Sequence, residues 1–150
     1  MRRKLTVGLV TGLAALAVPM AATPAAAAEY SNSCTVVRAT TGGGIANVAY
    51  AHVDADWSTR NKMDPVVLLA RDNEADGHHV AVRLVTWQAD GEVKYWTWRH
   101  YYGGNGGQDY WTTSASDSQG IKYAAVQGGL FEGDSLLQSC LSSKTANPVW

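Results

Sequence analysis

Two cysteines, Cys34 and Cys140, stand near opposite ends of this chain, and its 150 residues hold no others. Joined, they would close a loop of roughly 100 residues, which on the chain-entropy argument contributes roughly 4.7 kcal/mol, less any strain. Such a clasp would lay the first and last strands of a domain side by side. Neither cysteine has a second one nearby to form a reactive dithiol, so the pair reads as structural. The bridge needs an oxidising compartment, and whether the chain reaches one is set by its first residues.

Met1-Arg2-Arg3-Lys4 is basic, Leu5 to Met20 is apolar apart from Thr6, Gly8, Thr11 and Gly12, and Ala25 to Ala28 offers small side chains. That order is the pattern of a secretory signal peptide. Cleavage is expected after Ala28, with Ala27 as the alternative, which divides the chain into a leader, 1–28, and one secreted domain, 29–150. The apolar run is too short to span a bilayer, and Pro19 and Pro24 interrupt its far end. The general secretory route is expected over twin-arginine export, because Lys4-Leu5-Thr6 supplies one apolar residue after the arginine pair.

Losing Arg2, Arg3 and Lys4 takes the 12 Lys and Arg down to nine against 13 Asp and Glu, a net charge of −4. Phosphate neutralisation needs clustered cations, so a nucleic acid partner is not expected. No later segment is long and apolar enough to suggest a membrane helix.

The rest of the chain alternates with period two between Gly and Asp-Gly punctuation, and no dozen-residue window keeps a helical period. The expected fold is all-β, an antiparallel β-sandwich of seven or eight strands with the disulfide joining the first and last. Strands are expected near residues 35–40, 45–54, 66–72, 79–88, 92–102, 109–114, 121–127 and 136–141. Asp76-Gly77 joins the third to the fourth. A two-residue turn at Asp90-Gly91 pairs Trp87 with Lys94, Val85 with Trp96 and Arg83 with Trp98. A second, at Asn105-Gly106, pairs His100 with Trp111 and Trp98 with Thr113.

With those registers Trp87, Trp96, Trp98 and Trp111 share one face with Arg83, Lys94 and His100, opposite Val80, Val82, Leu84, Val93 and Tyr95. Flat aromatic rings beside hydrogen-bonding groups suit the stacking of sugar rings. The competing reading is that these aromatics fill the space between two sheets. A slip of one residue would scatter them. Tyr101, Tyr102, Tyr110 and Trp111, around the glycine-rich loop 103–107, form a second candidate surface.

Signals for catalysis and metal binding are weak. Gly133-Asp134-Ser135-Leu136 carries the letters of an esterase motif, but no histidine follows it, so Gly133-Asp134 reads as a turn. Asp72, Glu74 and Asp76 space carboxylates as calcium loops do, yet Arg83 stands where an EF-hand needs a carboxylate. His52, His78, His79 and His100 match no zinc spacing. A His–Asp acid–base pair could be assembled from His52 or His100, as in almost any domain. Nothing calls for a cofactor, a metal or an enzyme.

Cys34-Thr35-Val36-Val37, then Arg71-Asp72-Asn73-Glu74-Ala75-Asp76-Gly77-His78 before an alternating strand, then Gly133-Asp134 before Cys140, resembles small secreted proteins of actinobacteria. The resemblance implies a disulfide-closed β-sandwich from a group without an established activity, and it carries over no site residue. The functional expectation is a non-catalytic extracellular or cell-wall-associated domain that binds a glycan or a surface. Its candidate binding residues are Trp96, Trp98, Trp111, Arg83 and His100. The alternatives are an inhibitor that presents residues 101–111 to an extracellular hydrolase, and a structural surface protein.

Overall fold

A computed structural model describes residues 27–150. The expected leader therefore lies outside the described residues, except for Ala27 and Ala28. Ten strands follow in chain order: β1 (Ala28–Ala39), β2 (Ile45–Thr59), β3 (Lys62–Asp72), β4 (His79–Trp87), β5 (Val93–Tyr95), β6 (Arg99–Tyr101), β7 (Gln108–Ser116), β8 (Tyr123–Glu132), β9 (Ser135–Leu141) and β10 (Thr145–Ala146). One sheet runs β1-β2-β3-β7 and the other β10-β8-β4-β5, with β6 also on β4 and β9 also on β8. The fold is all-β in two sheets, as expected. There are ten strands rather than seven or eight because the stretch 92–102 breaks into β5 and β6 and the short β10 is added.

Alternation decides which side chains lie between the sheets. On β2, Ala49, Ala51, Val53, Ala55 and Trp57 are buried, while His52, Asp54 and Asp56 between them face outward. Val66, Leu68 and Ala70 of β3 join them from the same sheet. Val80, Val82 and Leu84 of β4 and Ala124, Val126 and Leu130 of β8 close the core from the other. Burying each of the valine and leucine side chains among them contributes roughly 1.5–3 kcal/mol. Small residues let the sheets approach closely: a methyl on Gly128 of β8 would stand 2.7 Å from the Ala51 Cβ.

Cys34 and Cys140 are bonded, with their Cα atoms 5.8 Å apart. The strands they join differ from expectation. Cys34 lies on β1, an edge of the first sheet, and Cys140 on β9, an edge of the second, so the bridge clasps two sheets and involves the penultimate strand. β10 comes after it because Asn147 holds the end of the chain: its side-chain amide donates to the Ile121 carbonyl at 2.8 Å. A half-buried disulfide of this kind fits an oxidising location.

Opposite the disulfide, β7 of one sheet and β5–β6 of the other are not paired, and that edge is open. The Asn105-Gly106 loop does not close a hairpin, which corrects the pairing expected for His100 and Trp111. It carries the chain from one sheet to the other, where Trp111 stands opposite Leu68 and Thr113 opposite Val66 on β3. The 11 residues of β3 offer a far longer ladder than the three of β6. Asp76-Gly77 likewise joins β3 to β4 across sheets.

Candidate functional site

The outer face of the second sheet gathers most of the singled-out residues, and one hairpin sets its register. Gly91, at φ 93°, ends a three-residue loop, with Gln88 N–H donating to the Glu92 carbonyl at 2.9 Å. A two-residue turn would have needed positive φ at Asp90 as well, and glycine alone has it here. Trp87 therefore pairs with Val93 and Val85 with Tyr95, one residue away from the expected partners.

The slip is undone before β6. Trp96 N–H donates to the Leu84 carbonyl at 3.1 Å, and Arg99 already pairs with Val82. Thr97 and Trp98 thus oppose Arg83 alone, a β-bulge. In a regular strand Tyr95 and Trp98, three apart, would face opposite sides. The bulge turns both outward, with Arg83 between them: its guanidinium carbon is 4.4 Å from the Tyr95 ring centre and 4.3 Å from that of Trp98. Arg83 Nε donates to Gln127 Oε1 at 2.8 Å, which fixes the plane of the fork and leaves both Nη groups for other acceptors. Burial pulls the guanidinium below its usual pKa, and the charge is retained.

Trp98 then reaches across the sheet to β8. A methyl on Gly129 would lie 3.2 Å from its indole and 2.7 Å from Phe131. The Trp98 and Phe131 rings meet edge to face at 5.2 Å. Phe131 also meets His100, at 4.9 Å, and His79, at 5.6 Å. His79 Nε2 and His100 Nδ1 are 3.0 Å apart, within hydrogen-bond distance. Burial, and then the neighbouring His100, hold His79 below the usual histidine range. Tyr102 covers His79 at 4.4 Å and is 73% exposed, and Tyr95 is 56% exposed.

The expected tryptophan face therefore divides. Trp87, Trp98, Arg83 and His100 do share the outer face. Trp96 and Trp111 do not, because the one-residue slip and the crossing to β3 turn both toward the core. Trp96 donates from Nε1 to Thr86 Oγ1 at 3.0 Å and carries Lys94 over its ring, while Lys94 pairs with the buried Asp117 at 3.2 Å. With Leu68 and Leu84, Trp96 lines a small cleft at the open edge. Tyr95 and Val93, expected on the aliphatic side, sit on the outer face instead. The reading from sequence missed Tyr95, Gln127 and Phe131; the alternation of Gln127 with Val126 and Gly128 was the signal for one of them.

The remaining candidates are engaged otherwise. Arg38 of β1 bridges Glu74 at 2.7 Å and Asp76 at 2.8 Å, and Asp76 also contacts His78 at 2.9 Å. Burial would raise the Asp76 carboxyl, but His78 and Arg38 outweigh it and hold it below the usual range. These carboxylates are spent on fixing the 72–78 loop. The glycine-rich loop is clipped to Asp72, whose carbonyl accepts from Gly106 N–H at 2.8 Å, and the Tyr101 hydroxyl fills the space beside Gly103 and Gly107. Gly133-Asp134 makes the turn between β8 and β9, with Glu132 paired to Ser135. His52 Nε2 meets Asp54 at 2.9 Å on the outer face of the first sheet. Among the described residues no group of three or more His, Cys, Asp and Glu is arranged to hold a metal. No protein-family model matches the chain, and none of the curated proteins matches it.

Proposed function

We propose that this protein is a secreted, non-catalytic domain that binds glycans through the outer face of its second sheet. The observation that carries the reading is the Tyr95–Arg83–Trp98 stack: a guanidinium held between two rings and oriented by Gln127, beside an exposed Tyr102. Ring faces stack on the C–H surfaces of a pyranose, and the free Nη groups donate to its hydroxyls. The fork is fixed beforehand, which limits the ordering cost of binding. Arg83, Trp98 and His100 are the binding residues in this reading, joined by Tyr95 and Gln127. Trp96 and Trp111 serve the core edge.

The signal-peptide pattern and the disulfide both support export to an oxidising environment. The actinobacterial secreted group that the chain resembles is the natural setting for such a domain. Titrating soluble oligosaccharides against tryptophan emission tests the reading. A saturable change that Arg83→Ala abolishes supports it, and a flat response across a broad panel overturns it.

A second reading, inhibition of an extracellular hydrolase, is favoured by the clipping of the glycine-rich loop to Asp72, since inhibitory loops gain from rigidity. Failure to slow any of a set of secreted proteases and glycosidases removes it.

A further inference from the structure

One end of the same face carries a feature the stack does not use. Trp87 of β4 and Tyr123 of β8 pair across the strands and floor a cleft of about 290 Å³. Lys144 Nζ stands 4.8 Å from the Trp87 ring centre and 5.8 Å from that of Tyr123. Lys122 Nζ stands 5.7 Å from the Tyr123 ring. Neither lysine forms an ion pair among the described residues. The one carboxylate in the lining, Asp90, accepts from Glu92 N–H at 3.0 Å within its own turn.

The two ammonium groups, unpaired among the described residues, concentrate positive charge in a domain with four more carboxylates than cations outside its expected leader. The cleft floor is held firmly. Lys122 N–H donates to the Trp87 carbonyl at 2.8 Å, and the Lys122 carbonyl accepts from Asn147 N–H at 2.9 Å. The backbone is thus fixed, while the lysine stems can swing off the rings to meet a ligand.

We propose that this cleft is a subsite for an anionic pyranose, a uronic acid or sulfated sugar. Its ring would lie against Trp87 and Tyr123, and its acidic group would be met by Lys122 and Lys144. A lysine ammonium is a compact point charge that suits either acid, whereas a bidentate carboxylate site would call for arginine. The inference deepens the glycan reading and rests on it. One acidic chain could engage this subsite and the Arg83 stack together.

The test titrates the intact exported protein with an oligogalacturonate, a sulfated oligosaccharide of the same length, a neutral oligosaccharide of the same length, and inorganic sulfate. Its readouts are calorimetry and tryptophan emission. The expected result is tighter binding of both acidic sugars than of the neutral one, weakened by added salt. The Lys122→Gln/Lys144→Gln double variant should lose about tenfold or more for the acidic sugars and keep its affinity for the neutral one. Trp87→Leu should weaken the sugars without creating a response to sulfate. Neutral and acidic sugars bound alike, with the double variant unchanged, would overturn the subsite and leave the stack standing. Inorganic sulfate competing as well as the sugars would reduce it to bare charge and overturn it also. No sugar of any kind bound would overturn both readings.

Discussion

Adding one methyl group at Gly128 tests how closely the two sheets are pressed together. The new carbon would lie 2.7 Å from Ala51 Cβ, 3.0 Å from Cys140 Sγ and 3.6 Å from Val36 Cγ2. Unstrained carbon contacts need about 3.5–4.0 Å, so the Ala51 contact falls short by roughly 0.8 Å or more. Ala51 belongs to the facing sheet, and the Cys34–Cys140 bridge holds the sheets together at that level. Relief must come from a backbone shift, which costs about 1–3 kcal/mol. Replacing glycine within a strand returns roughly 0.5–1 kcal/mol, which leaves Gly128→Ala about 0.5–2 kcal/mol less stable. For a domain of this size that is a fall in Tm of about 2–8 °C, read by circular dichroism and by urea unfolding. Ala51→Gly removes the atom struck, so the double variant should be more stable than the two single losses predict by at least about 0.5 kcal/mol. A Gly128→Ala protein as stable as the parent, or losses that simply add, would refute the packing argument.

Replacing Cys34 and Cys140 together by serine should cost up to about 4–5 kcal/mol, because the unfolded chain regains a loop of roughly 100 residues; a loss under about 1 kcal/mol in urea unfolding would contradict that. Arg83→Leu removes two ring contacts, each worth about 0.5–2 kcal/mol, and the bond to Gln127. It should lower stability by about 1–3 kcal/mol and shift tryptophan emission, and an unchanged midpoint and spectrum would deny the stack. His79 is held below the usual histidine range by burial and by His100, so the unfolded chain takes up its proton first as pH falls. Stability from this group is therefore present above about pH 6.5 and is lost as pH drops toward the folded value. His79→Asn should flatten the stability–pH curve over that window, and parallel curves would count against the linkage.

Much of the fold was legible because its signals are local or singular. Two cysteines leave one possible bridge. Alternation marked β4 and separated Arg83 and Trp87 from Val80, Val82 and Leu84; which of the two sets faces the core is shown by the packing of the sheets. Several strands were longer than expected, and in two of them the signal was present: Ala55, Asp56 and Trp57 continue the alternation of β2, and Tyr30 begins that of β1. What the chain did not disclose was register and sheet membership. Asp90-Gly91 is compatible with a two-residue or a three-residue loop, and the choice moves every partner by one. The bulge at Thr97-Trp98 has no local signature. It places Arg83 between the Tyr95 and Trp98 rings. Trp111 leaves the expected face because β3 offers β7 a longer ladder, a competition between distant segments that a local reading does not weigh.

Indole N–H resonances give the most direct test of where this protein meets its ligand. In a proton–nitrogen correlation spectrum titrated with an oligosaccharide that binds, the signals of Trp98 and Trp87 and the Nε–H of Arg83 should move together. Those of Trp57, 1% exposed in the core, and of Trp96, bonded to Thr86, should stay in place. Movement confined to Trp96 and Trp111 would put the ligand at the open edge and contradict the account.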